Sequence, residues 1–92
     1  IYAGDKDYVC GWVGLLDVCN KLNYKQFEKQ QLRPWVTSNK GIVAGEVKNF
    51  DKLTFVRVYD AGHMVPFDQP QNALDLVNRW TRGDYGFNKG SV

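Results

Sequence analysis

The densest apolar pattern in the chain lies in two runs, 42–49 and 53–59. The second reads Leu53-Thr54-Phe55-Val56-Arg57-Val58-Tyr59, rich in β-branched and aromatic side chains and apolar at consecutive positions near its middle. A strand of that kind is buried on both faces, as in sheets covered by helices. Phe50, Asp51 and Lys52 form a short connection between the runs, so a β-hairpin is predicted. Downstream the spacing becomes helical. Ala73, Leu74, Val77 and Trp80 give an apolar stripe. Pro70 suits the first helical position, Asp68 or Gln69 the cap, and Gly83 the stop, with Arg79 and Arg82 in the last turn.

Upstream, Val9, Trp12, Val13, Leu16, Cys19 and Asn20 follow a three-or-four spacing, which predicts a helix over 8–22. Gly11 and Gly14 each cost such a helix about 1 kcal/mol relative to alanine, so a close neighbour is expected on their face. Residues 23–31 read as a short surface helix or turn. Residues 32–36 contain Pro34, which cannot donate to a ladder and points to an edge strand. Residues 37–41 are a loop by composition, and the segment from Asp84 onward is glycine-rich, read as a frayed end.

Ile1, Tyr2 and Ala3 read as the end of a buried strand, followed by a turn that holds Asp5 and Asp7 and bends at Gly4. The order is strand end, acidic turn, helix, β-hairpin, histidine loop, C-terminal helix. That is an α/β arrangement. Because it opens on a strand end, residues 1–92 are expected to be a piece of a longer polypeptide and not a self-sufficient domain. The length of 92 residues allows one domain. With 43% hydrophobic and 24% charged residues the chain is globular in composition. Its net charge of +2 is small and its lysines and arginines are dispersed, so nucleic-acid binding is not expected. No apolar run approaches the roughly 20 residues of a membrane span, and no signal-peptide pattern is present.

The only histidine, His63, lies in the stretch Tyr59-Asp60-Ala61-Gly62-His63-Met64-Val65-Pro66-Phe67-Asp68-Gln69-Pro70. Histidine is the side chain suited to moving protons near neutral pH. On a loop between a strand and a helix, His63 is either a catalytic base or a satisfied structural residue. An acidic turn after one strand and a histidine after a later one form the second half of the nucleophile–acid–histidine order of α/β-hydrolases. Both would then sit at the carboxyl ends of strands, where ligands gather in open α/β sheets. The nucleophile would lie upstream, because neither Ser38 nor Ser91 stands in a Gly-x-Ser-x-Gly elbow. Cys10 and Cys19, if on one helix, fall on different faces about 13 Å apart along its axis and cannot bridge each other. With one histidine and two such cysteines, no zinc or other metal site is expected.

Two stretches then resemble a known family. One is Tyr2-Ala3-Gly4-Asp5-Lys6-Asp7-Tyr8-Val9-Cys10-Gly11-Trp12. The other is Val43-Ala44-Gly45-Glu46-Val47-Lys48, continuing through Phe55-Val56-Arg57-Val58-Tyr59-Asp60-Ala61-Gly62-His63-Met64-Val65-Pro66-Phe67-Asp68. They resemble the C-terminal segment of serine carboxypeptidases, above all the fungal vacuolar ones. Residues 15–31 and those after Gly83 match least. The resemblance implies the C-terminal portion of an α/β-hydrolase fold, with Asp7 as triad acid and His63 as triad base. It places the catalytic aspartate second in the turn and leaves Asp5 a structural role. It also implies substrate-binding roles for Cys10, beside the pocket for the penultimate side chain, and Met64, against the departing C-terminal residue. Each of these two also reads as ordinary packing.

The implied activity is release of C-terminal amino acids from peptides through an acyl-enzyme, without a cofactor. The expected partners are a peptide with a free C-terminal carboxylate and an N-terminal part bearing the serine. The isolated chain is expected to be inactive. The implied location is the vacuole, the lysosome or the outside of the cell. Family members are usually glycosylated, although this chain has no Asn-x-Ser/Thr sequon. An acyltransferase on the same fold, or a non-catalytic homologue, is the alternative.

Overall fold

A computed structural model describes residues 1–7, 11–22, 25–37 and 41–87. Within them lie strands β1 (Tyr2–Gly4), β2 (Arg33–Val36), β3 (Val43–Phe50) and β4 (Leu53–Val58), and helices α1 (Trp12–Asn20), α2 (Lys25–Glu28), α3 (Val65–Asp68) and α4 (Pro70–Thr81). The strands form a mixed sheet in the order β1-β4-β3-β2. β1 runs parallel to β4, with Gly4 opposite Val58, while β3 pairs antiparallel with both β4 and β2.

The predicted hairpin is β3–β4. Phe50 pairs with Leu53, so only Asp51 and Lys52 form the turn, and Asp51 takes a left-handed φ of 54°. β4 is buried on both faces, and its alternation separates two cores. Phe55 packs with Cys19 and Phe27, against Trp12, Leu15 and Leu16 of α1. Val56 and Val58 pack on the other face with Trp35, Ala73, Val65 and Phe87, against Leu76 of α4. Helices therefore cover opposite faces of the sheet. β2 is an edge strand of the described sheet, as Pro34 requires.

Several expectations are corrected. The helix α1 begins at Trp12, after Gly11 at its cap; residues 8–10 of the expected span lie outside the described residues. A side chain at Gly14 would meet nothing within 4 Å, so no close neighbour explains that glycine among the described residues. Ile1 and Tyr2 are exposed and only Ala3 of that trio is buried, because β1 borders the described sheet. The one-turn α2 holds Phe27, which is fully buried and no surface residue. Residues 38–40 of the expected loop lie outside the described residues.

The helix α4 starts at Pro70 and stops before Gly83, whose φ of 86° is the left-handed conformation glycine accepts. Its inward face is not the expected stripe. Ala73 is buried, but Leu74, Val77 and Trp80 are exposed, and Asp75 and Arg79 point inward instead. Their Oδ2 and Nε lie 3.4 Å apart, and the Trp35 indole donates to the same Asp75 oxygen at 2.9 Å. The segment 84–87 is packed and not frayed. Arg79 donates to the Phe87 carbonyl at 2.8 Å, Arg33 donates to the Gly86 carbonyl, and the Phe87 ring lies 5.5 Å from Trp35.

Candidate active site

Because β1 and β4 are parallel neighbours, their carboxyl ends emerge side by side. The chain leaves β1 into the turn at residues 5–7 and leaves β4 into the histidine loop. Three main-chain contacts knit these exits together. The Asp5 N–H donates to the Val58 carbonyl and the Lys6 N–H to the Ala61 carbonyl, both at 2.9 Å, and the Asp5 carboxylate accepts the Asp60 N–H at 3.0 Å. Gly4 is what lets them meet. A Cβ there would collide with the carbonyl oxygens of Ala61 and Gly62, so its role is close approach and not the bend expected of it.

The histidine loop is also held from behind. Asp60 takes a left-handed φ of 54°, and its carbonyl accepts from the Gln69 side chain at 3.1 Å. Asp68, expected as a helix cap, accepts the Gly62 N–H at 2.8 Å, while Gln69 occupies the N-cap of α4. Asp68 thus fixes the Ala61–Gly62 peptide, one unit before His63. Its place in the turn of α3 could not be read from the sequence, since one turn of helix around Pro66 leaves no periodicity.

The two exits place Asp7 Oδ2 2.9 Å from His63 Nδ1. The Asp7 side chain is 5% exposed and the His63 side chain 62%. A carboxylate only accepts, so Nδ1 carries the proton and Nε2 is left as an acceptor for a further partner. Chemically this is an oriented imidazole able to take a proton at Nε2 and, once charged, to be stabilised by the aspartate. Beside the pair lies an open hollow of about 250 Å³, lined by Gly4, Asp7, Leu15, His63 and Val65 with Tyr2 and Ala3.

The remaining expected site residues are not gathered there. Met64 precedes α3 as its N-cap and is 64% exposed, beside His63 in sequence but outside the hollow's lining. Cys10 lies outside the described residues, as do Ser38 and Ser91. Cys19 is a free, fully buried thiol in the core between α1, α2 and β4, and burial pushes its pKa up. Among the described residues no group of three or more His, Cys, Asp or Glu is placed to hold a metal ion. Nor is any helix there long and apolar enough to cross a membrane.

A family model described as serine carboxypeptidase matches residues 1–83. A vacuolar serine-type carboxypeptidase of Saccharomyces cerevisiae is 49% identical over 90 residues, 95% of this chain and 18% of that protein. Carboxypeptidase Y of Candida albicans is 50% identical over 90 residues, 95% of this chain and 16% of its own length. Carboxypeptidase Y of Saccharomyces cerevisiae is 46% identical over 88 residues, 92% of this chain and again 16% of the relative. The chain therefore spans less than a fifth of the curated relatives it matches.

Proposed function

The chain belongs to the serine carboxypeptidase family, and from that membership we propose that it supplies the acid and the base of a serine carboxypeptidase's catalytic triad, Asp7 and His63. On this reading residues 1–92 are a C-terminal segment of an α/β-hydrolase catalytic domain, and the serine lies in the remainder of the polypeptide. The observation that carries the proposal is the 2.9 Å contact between Asp7 Oδ2 and His63 Nδ1, at the ends of adjacent parallel strands.

The chemistry follows from the tautomer. With Nδ1–H engaged by Asp7, Nε2 accepts the hydroxyl proton of the serine as its oxygen attacks the carbonyl carbon of the last peptide bond. The resulting imidazolium is paired with the buried carboxylate. It then returns the proton to the nitrogen of the departing C-terminal amino acid, leaving an acyl-enzyme. In the second half Nε2 takes a proton from water, whose oxygen attacks the ester carbon, and gives it back to the serine as the acid is released. No step calls for a metal or cofactor. The substrate is a peptide with a free C-terminal carboxylate. Cys10 and Met64 are proposed to contact its last two side chains. A vacuolar location is proposed from the similarity to the vacuolar serine-type carboxypeptidase of Saccharomyces cerevisiae.

The test is His63→Ala in the full-length polypeptide that carries this chain, assayed on an N-blocked dipeptide. Loss of at least about 10³-fold in kcat is expected from removing the general base of a triad. Hydrolysis at the wild-type rate would refute the assignment.

A further inference from the structure

One arginine beside the site does more than fill the sheet. Arg57 projects from β4 on the α1 side, and its guanidinium carbon lies 4.2 Å from the centre of the Trp12 ring and 5.2 Å from that of Tyr59. Nη1 bonds Glu46 Oε1 on β3 at 2.9 Å, and Nη2 lies 3.8 Å from Asp5 Oδ2. The group is about three-quarters buried, and its Nε is buried with no partner among the described residues. Core packing alone would favour an apolar residue here, since an orphaned buried N–H costs roughly 1–3 kcal/mol. The guanidinium also places its positive charge 3.8 Å from Asp5 Oδ2, which favours the orientation that keeps this oxygen toward it.

That orientation bears on the site. The other oxygen of the same carboxylate, Oδ1, accepts the Asp60 N–H at 3.0 Å. Asp60 is the left-handed residue at which the histidine loop leaves β4. Asp5 stands two residues before Asp7, and Asp60 three before His63. The carboxylate thus ties the turn that presents the acid to the loop that presents the base. Asp5 itself is only 17% exposed, and the carboxylate on His63 Nδ1 is that of Asp7.

We propose that Asp5, clamped by Arg57, is a positioning residue that sets the separation between Asp7 and His63. This rests on the triad reading above. The clamp makes the two strand exits one rigid unit, so the proton relay keeps its geometry while a substrate is bound and released. Displacing reacting groups by an ångström costs on the order of 10²-fold in rate.

The experiment compares Asp5→Ala, Asp5→Asn and Arg57→Lys in the full-length polypeptide, reading kcat and KM separately on a blocked dipeptide and checking each variant's fold by near-UV circular dichroism. Asp5→Ala loses the acceptor and should lower kcat by about 10- to 100-fold with KM within about twofold. Asp5→Asn keeps an oxygen for the Asp60 N–H and should recover most of that loss. Arg57→Lys keeps the charge but not the fork and the ring stacking, and should lower kcat by about tenfold. It carries the test if Asp5→Ala does not fold. A wild-type kcat in folded Asp5→Ala or, failing that, in Arg57→Lys would overturn the proposal. So would Asp5→Asn behaving no better than Asp5→Ala. An active His63→Ala would instead sink the triad reading itself, so the two failures are distinguishable.

Discussion

Replacing Asp7 with asparagine tests the acid's role with the least disturbance of shape. The Asp7 carboxylate is 5% exposed and lies 2.9 Å from His63 Nδ1. On the proposed mechanism, when the imidazole takes the serine proton a full positive charge forms next to it. With charge centres about 4 Å apart and an effective dielectric of about 20, that attraction is worth about 4 kcal/mol. Each 1.36 kcal/mol is tenfold in rate, so its loss amounts to about three decades. Two effects modify this figure in opposite directions. Water at the exposed edge of the ring weakens the attraction. An amide that turns its NH₂ toward Nδ1 forces the proton onto Nε2, where it blocks acceptance from the serine, and the comparable change in a well-studied triad costs about 10⁴. Asp7→Asn should therefore lower kcat by about 10³- to 10⁴-fold with little change in KM, measured on a blocked dipeptide with the full-length polypeptide. A loss below tenfold, or one confined to KM, would refute the reasoning, since the charge would then contribute nothing specific to the transition state.

Further expectations concern stability. Asp75→Ala removes the buried carboxylate that faces Arg79 Nε and accepts the Trp35 N–H, and should cost about 3–5 kcal/mol by denaturant unfolding; a cost under about 1 kcal/mol would show the pair to be dispensable. The Cys19 thiol is raised above its ordinary 9.0, chiefly by burial, which outweighs the pull of Lys48. A group that holds its proton more tightly when folded contributes its full stability below the unfolded value and loses it as pH rises through the folded one. Unfolding midpoints measured from pH 7 to 11 should thus fall above about pH 9 in the wild type and fall less in Cys19→Ala.

The parts of the fold legible in the sequence were those whose signals are local. A β-branched run, a short connection, a proline at a helix start and a glycine at its end act over a few residues. They place β3, β4 and both limits of α4. The rotation of α4 was not legible. Leu74, Val77 and Trp80 read as the core, and Arg79 as a cation of the last turn. The inward turn of Asp75 and Arg79 depends on Trp35, forty residues away, whose indole N–H needs an acceptor in an apolar core. Segment 84–87 failed for the same reason. Asp-Tyr-Gly-Phe looks frayed until Arg33 and Arg79 bond its carbonyls. The helix α1 is apolar on most of its circumference, so no stripe could single out Trp12, Leu15 and Leu16 over Val13 and Val18 as its packed side.

The candidate site shows the same division more sharply. That Asp7 and His63 each follow a strand was readable, since a strand exit into a small-residue turn is local. That the two exits are neighbours depends on β1 pairing parallel with β4, across a gap filled by α1, α2, β2 and β3. No periodicity encodes such a pairing; the acid-then-histidine order of α/β-hydrolases and the resemblance joined the two residues beforehand. Gly4 illustrates the point. As a turn residue it needs no partner, yet its lack of a side chain matters because the carbonyls of Ala61 and Gly62 press against it. The same holds for Asp5. In sequence it is the less interesting of two aspartates; in the fold its two oxygens face Arg57 on β4 and the Asp60 N–H just beyond that strand, so it joins the β1 exit to the β4 exit. A residue whose work is to hold two distant segments in register carries no local signature of that work. It can be recognised only once both segments are in place.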